Sequence, residues 1–210
     1  FGPFPKTDRQ YEPAVEEFNQ FDVELAKTML AEAGWVEGDG GVLERDGTRF
    51  EFEYVVEDET TQKLVAEAVS AQFREVGVVA NLRVVDRAVA FEEQAGEGRD
   101  AAPMALFFWL WPVPLDILVI FSSSETIPIP NFSHVNDPAI DAAINKWRQS
   151  GTVEAAQAAS SEFQLLWAES LPYLSLMNQN AVFVHQNYVK GWQPFVWNLY
   201  PLYNDVWMDK

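Results

Sequence analysis

Residues 100–124 read DAAPMALFFWLWPVPLDILVIFSSS, the longest apolar run of the chain. Phe107, Phe108, Trp109 and Trp111 crowd together, Pro112 and Pro114 interrupt the run, and apolar residues then resume. The pattern predicts a buried strand ending near Trp109, a proline-bent loop, and a short helix from about Leu115. A membrane span needs a stretch of about this length. Here Pro-Val-Pro removes two backbone donors, Asp116 adds a charge costing roughly 2.5–3.5 kcal/mol near a bilayer centre, and no Lys or Arg cluster flanks the run. A central strand buried on both faces looks the same whether or not it meets a ligand. Leu106 and Phe107 fit that core reading. Trp109 and Trp111 stand beside the bend, and fit core and ligand platform equally, because open α/β sheets bind ligands beyond their strand ends.

Upstream, residues 1–20 are rich in proline and aromatics without periodicity. Asp22 is a good N-cap for a helix whose Ala26, Met29, Leu30 and Ala33 share one face, and Gly34 stands where a left-handed cap ends it. Glu37 to Gly41 form a turn cluster; no Lys-Ser/Thr follows, which argues against a phosphate cradle. Asp46-Gly47 suits a hairpin turn between 42–44 and 48–56, where Phe50, Phe52, Tyr54 and Val56 alternate. A helix over 60–76 buries Val65, Val69, Phe73 and Val76 and stops at Gly77. A strand over 78–85, a short helix capped by Asp86 and a polar loop over 96–100 lead into the apolar run. Alternation of this kind predicts an α/β sheet with helical crossovers.

Downstream, Asp137-Pro138 marks a helix start, with Ile140, Ala143, Ile144 and Trp147 on its apolar face. Thr152 caps a further helix to about Ser170, with Ala156, Ala159, Phe163, Leu166 and Leu171 inward, and Pro172 blocks its continuation. Two short strands are predicted over 173–177 and 181–185. The tail from 188 to 210 carries Trp192, Trp197 and Trp207; it is too apolar for a free tail and too irregular for a helix.

Of 210 residues, 14 are Lys or Arg and 32 Asp or Glu, a net charge of −18. No surplus of cations exists to neutralise phosphates, so nucleic acid is excluded as a partner. Cysteine is absent, which removes disulfides, thiolate metal sites and a cysteine nucleophile. His134 and His185 are the only histidines, and neither HExxH nor Gly-x-Ser-x-Gly occurs. The acidic runs Glu16-Glu17, Glu57-Asp58-Glu59 and Glu92-Glu93 fall on predicted solvent faces. No catalytic residue, metal site or cofactor is expected, although a carboxylate pair acting on a glycan stays open as an alternative.

Taken in order, these segments resemble the C-terminal lobe of the large solute-binding proteins of ABC importers, which bind peptides, nickel or oligosaccharides. Phe1-Gly2-Pro3-Phe4-Pro5 is similar to the family's Gly-Pro hinge, and FDVELAKTMLAEAGW over 21–35 to its first helix of this lobe. VAEAVSAQFREVGVV over 65–79, Asn131 to Trp147 with Asp137-Pro138, and the Leu171 to Leu176 segment also match in order, as does Val189-Lys190-Gly191. The resemblance implies a type II periplasmic-binding-protein fold, a mixed sheet with flanking helices. It implies a non-enzymatic lobe over 1–187, part of a longer polypeptide. A tail over 188–210 would return across the hinge toward an N-terminal lobe absent from this sequence. The protein would be extracytoplasmic, periplasmic or lipid-anchored, and would deliver a small peptide, oligosaccharide or similar solute to ABC permease subunits. Trp109, Trp111, Phe108 and Asn131 are the implied ligand contacts. Peptide binders of the family carry an Asp three residues after the aromatic loop's Trp; here that position is Pro112, which cannot pair with an ammonium. The two indoles suit an uncharged solute such as a sugar. A glycan-acting enzyme and a ligand-sensing module of a regulator are the alternatives.

Overall fold

The structure is a computed structural model and describes residues 4–18, 20–96, 102–106, 122–177, 182–193 and 205–209. Its packing divides into two compact units.

The first unit begins with helix α1 (Val23–Glu32), whose first turn is held by Asp22 Oδ1 accepting from Leu25 N at 2.8 Å. Gly34 follows at φ +86°, the left-handed position its sequence context demands. The expected apolar face is not the packed one: Ala26 and Leu30 are half-buried, but Met29 and Ala33 are exposed, and no residue of α1 is fully buried. Strands β1 (Val36–Glu37), β2 (Leu43–Arg45) and β3 (Thr48–Arg49) form a small antiparallel sheet. Asp46 and Gly47 turn the β2–β3 hairpin at φ +52° and +74°, the paired positive φ that matches the twist of a two-residue hairpin.

The predicted strand over 48–56 serves two sheets. After β3 it breaks at Phe50, whose ring stacks on Trp35 at 4.3 Å. It resumes as β4 (Glu51–Glu57), parallel to β5 (Val79–Val85) and to β6 (Met104–Leu106) in the order β5-β4-β6. Helix α2 (Thr60–Glu75) and helix α3 (Arg87–Gln94) make the crossovers. Among the described residues β4 is therefore the central strand and β6 lies at an edge, where the sequence placed the apolar run at the centre. Nor does β4 bury only one face: Tyr54 and Val56 pack with Ala66 of α2, while Val55 on the opposite face is also fully buried. The deepest line of α2 is Gln62, Ala66 and Ser70, flanked by half-buried Val69 and Phe73. Of the two polar residues on that line, Ser70 Oγ donates to Ala80 O at 3.2 Å, while Gln62 Nε2 donates to Glu57 and its Oε1 has no partner among the described residues. Gly77 ends α2 at φ +79°, where a Cβ would stand 2.8 Å from Leu43 Cγ.

The second unit is built on helices α4 (Pro138–Arg148) and α5 (Val153–Ser170), which pack against each other. Asp137 Oδ1 caps α4 by accepting from Ala139 N at 2.8 Å, and Thr152 Oγ1 caps α5 by accepting from Ala155 N at 3.2 Å. Ile140, Ala143 and Ile144 of α4 and Ala159, Phe163 and Trp167 of α5 are all buried. A 3-10 turn (Pro13–Glu17) lies against α5, and Gln164 joins them: its Oε1 accepts from Glu12 N at 3.3 Å and its Nε2 donates to Gln10 O at 2.7 Å. Leu171, expected inward, is exposed at φ +45°, because the helix ends one residue earlier and the left-handed turn carries it off the buried face.

The strands predicted over 173–177 and 181–185 are not strands in the described residues. Their apolar residues favour strands, but among the described residues no ladder engages them. Strands β7 (Val189–Lys190) and β8 (Trp207–Met208) do pair, antiparallel. Gly191, at φ +70°, lets the chain pass so close to Asp205 that a Cβ would meet its carbonyl oxygen at 1.9 Å.

Candidate functional site

In the first unit the three parallel strands end on one edge. Glu57 lies opposite Val85, and Val56 opposite Leu106. This is the edge at which open α/β sheets place their ligands. Three of the expected contacts, Phe108, Trp109 and Trp111, follow Leu106 in the chain and lie outside the described residues.

The carboxylates along this edge are committed to local structure. Glu59 caps α2, accepting from Gln62 N at 2.9 Å. Backbone hydrogen bonds from Thr61 and Gln62 hold its carboxyl below the ordinary range, because they favour the charged form. Glu57 accepts from Gln62 Nε2 at 3.0 Å, and Asp58 pairs with Lys63. Asp86 Oδ1 caps α3 by accepting from Ala88 N at 2.9 Å and Val89 N at 3.2 Å. Each group starts a helix or steadies the start of one. A general acid–base pair needs carboxyls free to exchange protons with a substrate, and these are engaged elsewhere.

The loop over 124–135 is fastened to the same unit. It opens with a 3-10 turn (Ser124–Thr126) and closes on Asn131, which is fully buried. Asn131 N donates to Thr126 O at 3.2 Å. Its Oδ1 accepts from Val135 N at 3.0 Å, and its Nδ2 donates to Val135 O at 2.8 Å. His134 takes φ +53° within that clamp, and Phe132 meets Phe91 of α3 edge-on at 5.1 Å. The Asn131 amide thus shapes a loop that leans on α3, the helix that starts at the sheet's carboxyl edge. No local signal in the sequence announces this role, because the clamp depends on a loop that is already folded.

The second unit has a concavity of about 350 Å³ at the start of α5, lined by Arg9, Gln10, Trp147, Thr152 and Gln157 among others. Two of its lining residues are joined: Gln157 Nε2 donates to Arg9 O at 3.0 Å. Sequence reasoning passed over it because Arg9 and Gln10 sit in an aperiodic stretch that gives no hint of meeting a helix 140 residues later. Among the described residues no group of three or more His, Asp or Glu side chains is placed to hold a metal ion, and no helix is long and apolar enough to cross a membrane.

The family model described as bacterial extracellular solute-binding proteins, family 5 Middle, matches residues 1–127. The chain is 25% identical over 166 residues to the oligopeptide-binding protein AppA of Bacillus subtilis (strain 168), covering 77% of this chain and 30% of that protein. It is 25% identical over 186 residues to Protein XP55 of Streptomyces lividans, covering 88% and 33%. Among solved structures, AppA from Bacillus subtilis in complex with a nonapeptide is similar with a TM-score of 0.73 at 21% identity, over 100% of this chain and 42% of that one. NikZ from Campylobacter jejuni in complex with Ni(L-His) is similar with a TM-score of 0.66 at 22% identity, over 73% and 31%. The chain spans about a third of the length of the curated relatives it matches. Likeness at such identities establishes the fold, that of the type II periplasmic binding proteins, with its parallel sheet and helical crossovers. The family model, covering more than half of the sequence in the order in which the elements occur, establishes the kinship: the chain belongs to the bacterial extracellular solute-binding proteins of family 5.

Proposed function

We propose that this chain is the C-terminal lobe of an extracytoplasmic solute-binding protein that captures a small solute between two lobes and hands it to the permease of an ABC importer. The observation that carries the reading is the family match over 1–127 joined to a sheet whose strands end on one edge. Residues 1–187 supply the solute-binding lobe, and 188–210 return toward an N-terminal lobe of the same polypeptide. Phe108, Trp109 and Trp111, which follow β6 in the chain, and Asn131 are the proposed ligand contacts. The relatives include an oligopeptide binder, and a small peptide or an oligosaccharide fits the platform. Pro112 stands where a carboxylate would hold a peptide's ammonium, which favours an uncharged solute. The enzyme alternative loses ground because the described carboxylates of the edge are spent on helix starts.

The test is isothermal titration of the full-length protein against panels of short peptides and oligosaccharides. An aromatic platform contributes on the order of 1 kcal/mol or more beyond area burial. Trp109→Ala therefore weakens binding about tenfold or more, since ~1.4 kcal/mol is a factor of ten, with the melting temperature unchanged. Unchanged affinity, or a protein that no longer folds, makes Trp109 a core residue and removes the platform. A 210-residue lobe that binds as tightly as the full-length protein removes the two-lobe mechanism.

A further inference from the structure

The concavity of the second unit is walled by segments far apart in the chain, and the walls are tied to each other. Gln157 Nε2 of α5 donates to Arg9 O at 3.0 Å, and Gln164 Nε2 of the same helix donates to Gln10 O at 2.7 Å. The remaining wall is the turn from α4 into α5, with Trp147 and Thr152. Among the described residues no carboxylate lines the space, in a chain that holds 32 Asp and Glu. Lys6, Lys27, Arg49, Lys63, Arg83 and Lys146 each pair with a carboxylate. The Arg9 guanidinium, which lines the concavity, makes no hydrogen bond or ion pair among the described residues. Asp8, its neighbour in sequence, is turned to Gln10 N, from which its Oδ1 accepts at 2.8 Å. Thr152 Oγ1 accepts from Ala155 N at 3.2 Å and keeps its own proton to give. Half-buried Trp147 adds a flat apolar wall.

We propose that this concavity is a second small-molecule site, which takes a single-ring aromatic carboxylate. A guanidinium presents its donors in a planar fork that matches a carboxylate, and the Thr152 hydroxyl supplies a further donor. An indole gains more against another ring than area burial alone gives. The volume, about 350 Å³, lies at the small end of ligand cavities and suits one ring with its carboxylate. Because the walls are already tied, binding orders little of the protein. The site is built within the second unit and uses none of the residues proposed to hold the transported solute, so it stands apart from the two-lobe reading.

The test is titration of the full-length protein with para-fluorobenzoate, followed by fluorine NMR line broadening. Saturable broadening is expected, with para-fluorobenzamide, which lacks the charge, binding about tenfold or more weakly. Arg9→Gln, at an exposed position, is expected to weaken fluorobenzoate by about tenfold or more with the melting temperature unchanged. Gly151 also lines the concavity, and a Cβ there meets no atom within 4 Å. Gly151→Leu is therefore expected to fill the space and abolish binding without disturbing the fold. Absence of saturation overturns the proposal, as does undiminished binding in either variant. Inorganic phosphate that displaces the probe as well as benzoate does leaves a bare anion site and overturns the aromatic assignment. Loss of probe binding in Trp109→Ala places the probe with the transported solute and also overturns it.

Discussion

Two stretches of this chain carry the same alternation and meet different ends. Glu51–Glu57, EFEYVVE, is the centre of the described parallel sheet, with Tyr54, Val55 and Val56 fully buried and ladder partners on both sides. Residues 182–185, VFVH, are as rich in strand formers, yet among the described residues have no ladder, and they expose both valines. The side chains do not explain the difference; the surroundings do. Strand β4 is flanked by strands that two crossover helices bring back beside it, and those helices cover its faces. Strand propensity amounts to fitting a pleated, half-buried surface, and among the described residues no such surface stands beside 182–185.

The comparison makes its largest prediction at Tyr54. Removing its ring leaves a cavity among Val56, Ala66 and Ala80, and truncations of large aromatic core residues cost about 3–5 kcal/mol. Tyr54→Ala is expected to lose that much in urea unfolding, whereas Val182→Ala loses under about 1 kcal/mol, as exposed substitutions do. Equal losses at the two positions would erase the contrast and mean that 182–185 is packed as deeply as β4.

Between these extremes stands the β7–β8 pair, a short ladder that does form beside the unpaired stretch. Its weak point is Gly191, at φ +70° with the Asp205 carbonyl where a Cβ would go. Gly191→Ala must shift one of the two strands, and forced left-handed or clashing backbone costs on the order of 1–3 kcal/mol. The expected result is a stability loss in that range with faster amide exchange at β7 and β8. Unchanged exchange there would mean that the pair is not a formed ladder in solution.

How far the sequence reaches follows the same line. Helix starts are written locally, and Asp22, Asp86, Asp137 and Thr152 each cap the helix read from them. So are the turns at Asp46-Gly47 and Gly77, because positive φ selects residue types. Which face of a helix is packed was legible only in part. The centre of α2 runs through Gln62 and Ser70, and polar residues read as solvent-facing unless their partners, Glu57 and the Ala80 carbonyl, are known. The two sheets that share residues 48–57 were not legible, since a break at Phe50 depends on Trp35 arriving beside it. At the candidate site, a strand is present at Met104–Leu106, while its expected end near Trp109 lies outside the described residues. The role of Asn131 was not, because burial and a clamp on Val135 are properties of a folded loop.

The smallest effect is also the sharpest probe of how β4 differs from an exposed strand. The Tyr54 hydroxyl is buried and has no hydrogen-bond partner among the described residues. Burial disfavours the charged phenolate and pushes its pKa up to about 12. A buried hydroxyl left unsatisfied costs about 1–3 kcal/mol, and phenylalanine keeps the ring while removing it. Tyr54→Phe is therefore expected to be neutral or to stabilise by up to about 1 kcal/mol at pH 7. The pH dependence gives the sign independently. An unfolded tyrosine ionises near pH 10, so the folded protein binds this proton more tightly than the unfolded chain does. The protonated group leaves stability untouched below about pH 10, and stability is then lost as pH rises toward about 12, through the folded-state value. Urea midpoints measured between pH 9 and about 11.5 should fall more steeply for the wild type than for Tyr54→Phe. Parallel curves would mean that the hydroxyl reaches water or a partner in solution, and that β4 is less enclosed than its neighbours make it.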